Sequence, residues 1–409
     1  MTIAAAGTEA IGARLVRLAD WLAVATIVSL PWSTSATTIL IVAWIAVALG
    51  TLDRESIDRV KFMAAVILPV AIAMYAVLAV AWSDVAWAVR FRSLPTTVKL
   101  LAIPLLFIHF RRTGAYRPVF IGFFISCCVL LAASWLTVLF PSFPLRTPNY
   151  GVPVKDYISQ SGFFSLCVVV LVDRAIATWI SSPRIAILYV CGALLFFANI
   201  VFVATGRTSL VALAVLLVLV GFMRFRGLAL ALFLGALALA AVLSWTSSPY
   251  LRNRVTNVAE EVKTFRANEV DTSSGARLEF WKHSVEIVRE APWFGHGTGS
   301  IRETMSRSFG VDPMALGAPS NPHNQILATA IPLGFVGVVL LIAMWLAHLR
   351  LFLTPGPVAF IGLMIVTQNI IAGLFNSHLL DFTQGWLYVL GVGVAGGALM
   401  YQRDVDEQR

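Results

Sequence analysis

Residues 227–245 read GLALALFLGALALAAVLSW, a run without a single charged side chain. As an α-helix it is long enough to cross a hydrocarbon layer of about 30 Å, which takes about 20 residues. Directly after it the chain turns polar from Ser247 to Ser320, closes that passage with Ser320-Asn321-Pro322-His323-Asn324, and becomes apolar again. Working outward, comparable apolar runs recur on both sides. They lie near Leu15–Trp32, Ala36–Gly50, Phe62–Trp82, Pro95–Phe110, Pro118–Phe140, Gly162–Ile180, Ile185–Ala204, Ser209–Met223, Gly227–Trp245, His323–Leu346, Pro357–Phe375 and Gly385–Met400. None shows the strict alternation of a barrel strand, and a helix satisfies its own backbone in lipid. The expected fold is therefore an all-α polytopic membrane protein with about twelve spans.

Composition gives the same answer. Hydrophobic residues make up 59% of the chain and charged residues 12%, with a mean hydropathy of +0.84. An ordinary soluble domain has about 25% charged residues. The organisation expected is nine spans over 1–246, a hydrophilic loop with amphipathic helices over 247–320, and three spans with a short tail over 321–409. Arg14 and Arg17 precede the first span, and no small-residue cleavage site follows it, so a retained span is expected.

The short loops set the orientation. With the N-terminus inside, the inner loops carry Arg14, Arg17, Arg54, Arg59, Lys61, Arg111, Arg112, Arg117, Arg174, Arg184, Arg224, Arg226, Arg350, Arg403 and Arg409. The short outer loops carry only Arg90, Arg92, Arg146, Lys155 and Arg207. The Ser247–Ser320 loop then faces outward. Anionic inner-leaflet lipid accounts for the basic inner loops within a net charge of +9. It does not account for Arg252, Arg254, Lys263, Arg266, Arg277, Lys282, Arg289, Arg302 and Arg307 in the outer loop, which point to an anionic, membrane-borne partner rather than nucleic acid.

Cys127, Cys128, Cys167 and Cys191 fall within apolar runs and read as small buried side chains. The histidines lack metal-ligand spacing; His283 and His296 share the outer loop without a motif such as HExxH. The chemistry expected is metal-free and without a cofactor.

Arg207 stands in Ala204-Thr205-Gly206-Arg207-Thr208-Ser209, a short outer turn between two apolar runs. It reads either as a residue snorkelling to the headgroups or as a phosphate ligand, with Gly206 allowing close approach and Thr208 and Ser209 adding hydroxyls. Lys99, one turn into a span, stands beside Arg90 and Arg92; it either snorkels or completes a second basic patch. In the outer loop, Leu278, Trp281, Val285 and Val288 predict the apolar face of an amphipathic helix opened by Arg277, whose charge opposes the helix dipole. Gly295, Gly297 and Gly299 either bring the backbone near a ligand or connect two helices. His323, at the start of a span, reads either as an interfacial anchor or as a neutral imidazole able to accept a hydroxyl proton.

Together, Arg207 in its outer turn, Gly-Ala-Arg-Leu-x-x-Trp at Gly275–Trp281, Pro-Trp-Phe-Gly-x-Gly at Pro292–Gly297 and Pro322-His323-Asn324 resemble the O-antigen ligase and polymerase superfamily, with about twelve spans and a large periplasmic loop between the ninth and tenth. The resemblance implies a GT-C-like glycosyltransferase of the bacterial inner membrane, its active site facing the periplasm among membrane lipids. It implies an undecaprenyl-diphosphate-linked polysaccharide donor and a lipid A–core acceptor, with His323, Arg207 and Arg277 as catalytic residues and Arg207, Arg277 and Asn324 on the diphosphate. Asp381 matches an acidic position of the last outer loop, and Arg90, Arg92 and Lys99 compete for an early-loop basic position. O-antigen polymerase and protein O-oligosaccharyltransferase share these motifs. A lipid-linked glycan transporter would need polar groups at the midplane and repeat symmetry; no repeat is evident and the polar residues gather at one face. A structural membrane scaffold explains neither Arg207 nor the setting of His323.

Overall fold

A computed structural model describes residues 3–140, 147, 149–253, 255–256 and 273–408. Arg146, Arg254, Lys263, Arg266 and Arg409, counted above, lie outside the described residues, as do residues 257–272 of the long loop. Among the described residues every regular element is helical. In chain order these are α1 (Ile3–Ser29), α2 (Thr34–Gly50), α3 (Arg54–Val60), α4 (Ala64–Leu78), α5 (Trp87–Ser93), α6 (Pro95–Val98), a 3-10 turn (Lys99–Leu101), α7 (Ala102–Thr113), α8 (Tyr116–Leu139), α9 (Tyr157–Thr178), α10 (Pro183–Phe202), α11 (Arg207–Arg224) and α12 (Gly227–Ser247). After the long loop's undescribed part come α13 (Ser273–Glu290), α14 (Ile301–Ser308), α15 (Gln325–Phe352), α16 (Pro357–Gly373) and α17 (Phe382–Glu407).

Each apolar run of the sequence coincides with one of these helices, the run at Pro95–Phe110 lying in the chain of short helices from Trp87 to Thr113. Among the described residues, eight helical stretches are long and apolar enough to cross a membrane, or nine if α2 and α3, bent by 107°, count as one span. α4 and α16 are apolar but shorter. The protein is an all-helical, multi-pass membrane protein.

Two compact units divide the chain, Met1–Phe123 with Phe280–Arg409, and Phe124–Glu279. In the first, α7 packs along α17, which is buried along nearly its whole apolar length. Gly393, Gly396 and Gly397 of α17 leave room for Leu106, Phe107 and Phe110 of α7. Both ends of this helix pair are pinned. Arg111 grips Asp404 with two parallel bonds of 2.8 and 2.9 Å, and the Lys99 ammonium donates to the Asp381 carbonyl at 2.7 Å.

Not all polar groups gather at one face, contrary to the sequence reading. His348 is wholly buried between the Tyr388 hydroxyl (2.7 Å) and the Ala65 carbonyl (2.9 Å), and His109 meets Asp20 at 2.8 Å. These partners come from helices remote in sequence, so no local pattern announces them. In the second unit Asp173, 1% exposed, takes Arg174 at 2.8 Å and Arg224 at 2.7 Å, which neutralises part of the charge counted toward the inner leaflet.

The three alternating glycines find their reason in α15. This helix is interrupted at Gly334 (φ 61°, ψ −161°), two residues after Pro332. The opened backbone is met by the segment after α13. His296 and Gly297 donate N–H bonds to the Ile331 and Pro332 carbonyls (2.8 and 3.0 Å), while the Phe335 and Val336 N–H groups reach the Pro292 and Trp293 carbonyls (2.7 and 3.2 Å). Non-helical backbone within a membrane bundle persists only where protein satisfies it. Gly295 (φ +69°) lies so close that a Cβ would stand 2.5 Å from the Leu333 nitrogen. Of the two readings of these glycines, the structure shows a close backbone approach, made to the protein's own helix. Thr298 extends the contact to α4, its N–H and hydroxyl bonding the Ala79 and Ala76 carbonyls (3.1 and 2.5 Å). This capping, with Arg90 on the Val80 carbonyl, closes α4 at Leu78, short of the expected Trp82.

A Cβ at Gly295 strikes backbone that cannot rotate away and forces a positive φ on alanine. Gly295→Ala is expected to lower the stability of the purified protein by at least about 2 kcal/mol, seen as a large fall in apparent Tm. Gly235→Ala on α12, where nothing lies within 4 Å, should leave Tm unchanged or raise it.

Candidate functional site

Asn324 sets the entrance to α15. Its Oδ1 accepts the Ile326 and Leu327 N–H groups (2.9 and 3.1 Å), so the helix starts at Gln325, two residues later than expected from His323. Its amide nitrogen donates to the Leu374 carbonyl at 3.0 Å. The side chain read as a donor-binding group therefore caps a helix and ties it to the segment between α16 and α17.

His323 sits just outside the helix in the left-handed region (φ 50°), a conformation uncommon away from glycine. Its N–H donates to Asn321 Oδ1 at 2.8 Å, its Nδ1 lies 3.4 Å from Asn376 Oδ1, and its ring stacks on Phe280 at 6.0 Å with 19° between planes. Backbone, ring edge and ring face are thus all held. Asn321 Oδ1 also accepts from Ser377 Oγ (2.7 Å), and Gln325 Oε1 accepts the Leu379 N–H (2.8 Å). The segment Leu374–Asp381 is laced onto 321–325 by these bonds. Asn376, Ser377 and His378, all nearly buried, escaped the sequence reading, although Asn-Ser-His within an apolar tail was a visible signal.

Asp381 closes this segment ahead of α17 with its carboxylate 3.1 Å from His378 Nδ1. Its carbonyl receives both Gly385 N–H and the buried Lys99 ammonium, for which Gly385 leaves space. The three basic candidates are thereby distinguished by position. Lys99 is inside against Asp381. Arg90 bonds the Val80 and Val85 carbonyls (2.9 and 2.6 Å) and lies 4.3 Å from the Trp87 ring; Arg92 is exposed.

In the second unit, Arg207 is the first residue of α11, with Gly206 as its cap. It is half-buried, at a helix N-terminus whose N–H groups favour anions. Thr208 and Ser209, read as further ligand hydroxyls, are buried instead, because Gly206 lets α9 approach until Ser161 Oγ bonds Ser209 Oγ at 2.9 Å. Arg277 is half-buried in α13, one turn past its start. Lys155, on another outer stretch, has its ammonium pushed down to about 8 by burial, against the pull of Asp156.

The apolar face of α13 differs from the predicted one. Ile287 is buried against Met305 of α14 and Ile331 of α15, with Phe280 and Val288 beside it, whereas Leu278 and Val285 are exposed. The docking of 292–297 on the broken α15 fixes the helix's rotation, which periodicity within α13 does not contain. The ring nitrogens of the two loop histidines are also engaged within the protein: His283 Nδ1 pairs with Ser308 Oγ (2.7 Å) and His296 Nε2 with the Ile287 carbonyl (2.9 Å).

Residues 192–342 match the sequence profile of the family described as O-Antigen ligase. This match supports membership of the O-antigen ligase and polymerase superfamily. Arg207, Arg277, His323 and Asn324 fall within the matched residues, while Lys99, Arg90, Arg92 and Asp381 fall outside them. An uncharacterized protein of Haemophilus influenzae is 31% identical over 94 residues, 22% of this chain and 24% of the relative. The matched stretch thus spans about a quarter of that relative's length.

Loss of the Asn324 cap is expected to cost about 1 kcal/mol. Asn324→Ala should lower Tm accordingly, and Asn324→Asp, which retains the capping oxygen but loses the bond to the Leu374 carbonyl, should recover only part of the loss in the same thermal melt. Should Asn324 bind an anionic donor instead, the aspartate variant would be the more damaging one in a transfer assay.

Proposed function

We propose that this protein is an O-antigen ligase of the bacterial inner membrane, moving polysaccharide from undecaprenyl diphosphate to a sugar hydroxyl of lipid A–core on the periplasmic side. In this reading residues 1–246 and 321–409 form the membrane portion and 247–320 the periplasmic loop. The observation that carries it is the fixation of His323, held at backbone, ring edge and ring face within the family-matched residues. Such a residue serves as an oriented base better than as a mobile headgroup anchor.

The acceptor oxygen attacks the anomeric carbon as the bond from that carbon to the diphosphate oxygen breaks. The proton goes to the His323 imidazole, and the electron pair of the broken bond leaves on undecaprenyl diphosphate. Direct displacement inverts the anomeric centre. Negative charge grows on the leaving diphosphate, so Arg207 and Arg277, permanently charged forks, stabilise the transition state more than the ground state. For Arg207 the N-terminus of α11 adds to the same field. Lys99 and Asp381 support this arrangement through the loop that holds His323.

The test is transfer by the reconstituted protein from undecaprenyl-diphosphate-linked glycan to lipid A–core, run in EDTA. His323→Ala is expected to lose about 10²–10⁴-fold in rate while still binding the donor; Arg207→Ala and Arg277→Ala should weaken donor binding and turnover together. Full turnover by His323→Ala would remove the general-base role. Lengthening of the glycan on its own carrier would make the protein a polymerase, and transfer to no acceptor would favour a transporter.

A further inference from the structure

A cavity of about 350 Å³ opens within the first unit. This lies in the range of small-ligand sites, roughly 300–1,000 Å³. Its lining combines apolar side chains such as Ile72, Ala76 and Leu333 with hydroxyl, amide and carboxylate groups.

Asn321, Thr97 and Asp381 are among those with hydrogen-bonding capacity left over. Asn321 uses its carbonyl oxygen twice, for His323 N–H and for Ser377, and its amide nitrogen makes no bond among the described residues. Because a backbone N–H is one of the two donors, the orientation of that amide is fixed. The Thr97 hydroxyl is likewise uncommitted among the described residues. Asp381 offers a half-exposed carboxylate of which one oxygen is taken by His378. The cation among the lining residues, Arg302, is turned away, with Nε on the Pro313 carbonyl (2.7 Å) and Nη2 near that of Ala315 (3.4 Å).

Two donors, an acceptor carboxylate and apolar lining match a neutral polyol ring, whose hydroxyls both donate and accept. A diphosphate would meet the Asp381 carboxylate and find no uncommitted cation in the lining. Asn321 moreover belongs at once to the cavity and to the set of bonds that fixes His323.

We propose that this cavity is the acceptor-sugar subsite, with Thr97, Asn321 and Asp381 recognising the hydroxyls of one ring and so presenting a neighbouring hydroxyl for deprotonation. This rests on His323 as the base of glycosyl transfer. Asn321 is then a positioning residue for His323 as well as a ligand contact.

Binding of two lipid-free probes to the purified protein in nanodiscs tests it: the deacylated lipid A–core oligosaccharide and the repeat-unit oligosaccharide released from the donor. At least one is expected to bind. Thr97→Val and Asp381→Asn should each weaken its binding about tenfold, the size of one lost hydrogen bond, and inorganic pyrophosphate should not compete. In the transfer assay both variants should raise KM for the acceptor and leave KM for the donor unchanged. Equal affinity in wild type and variants, binding of neither oligosaccharide, or displacement by pyrophosphate would overturn the subsite. Transfer to lipid A–core with unchanged acceptor KM in both variants would discard the cavity and leave the ligase reading intact. Variant-sensitive binding of the repeat-unit probe alone, with elongation on the carrier, would keep the cavity and replace the ligase by a polymerase.

Discussion

A helix interrupted inside an apolar bundle exposes carbonyl and N–H groups that lipid cannot satisfy, and the four backbone bonds between 292–297 and the break in α15 answer that demand. Much of the first unit follows from this junction. It brings the end of α13 against α15, which turns Ile287 toward Met305 and Ile331 and sets Phe280 over the His323 ring. Through Thr298 it also reaches α4, so a loop segment becomes part of the cavity wall. A polar loop joined to the bundle only by its ends would fix none of these positions.

The site is ordered by neutral groups first and charges second. Asn321, Asn376, Ser377 and Gln325 are uncharged side chains whose bonds tie 321–325 to the segment before α17. Charges are used where position alone does not suffice. Lys99 and Arg111 fasten the two ends of the α7 and α17 pair, and Arg207 opens α11 where the backbone already attracts anions. Such a division lets the histidine hold one geometry without relying on neighbouring charges.

Hydrophobic runs made the fold legible because a spanning helix satisfies its backbone alone and needs no partner to be recognised. Run 227–245 is the plainest case, and α12 buries only Ser244. Arg207, Arg277 and His323 stood out because polar chemistry beside apolar runs is costly enough to be conspicuous. Asn324 was visible too, but its capping of α15 was not, since a cap is defined by the two N–H groups beyond it. What local sequence could not contain were pairings across long stretches of chain: Thr298 with Ala76, Lys99 with Asp381, His348 with Ala65. The buried face of α13 was missed for the same reason, for its rotation is decided by α15. Leu278 and Val285 fit the helical period as well as Phe280 and Ile287 do.

The pairing of α7 with α17 also has a history in the making of the protein. Residues 102–113 leave the ribosome long before residues 382–407, while the stretch that forms the second unit is complete in between. Until α17 arrives, Lys99 and Arg111 stand at the two ends of a membrane helix without the carbonyl and the carboxylate that receive them in the finished protein. An unfinished chain therefore carries two cations whose partners arrive only with the last helix.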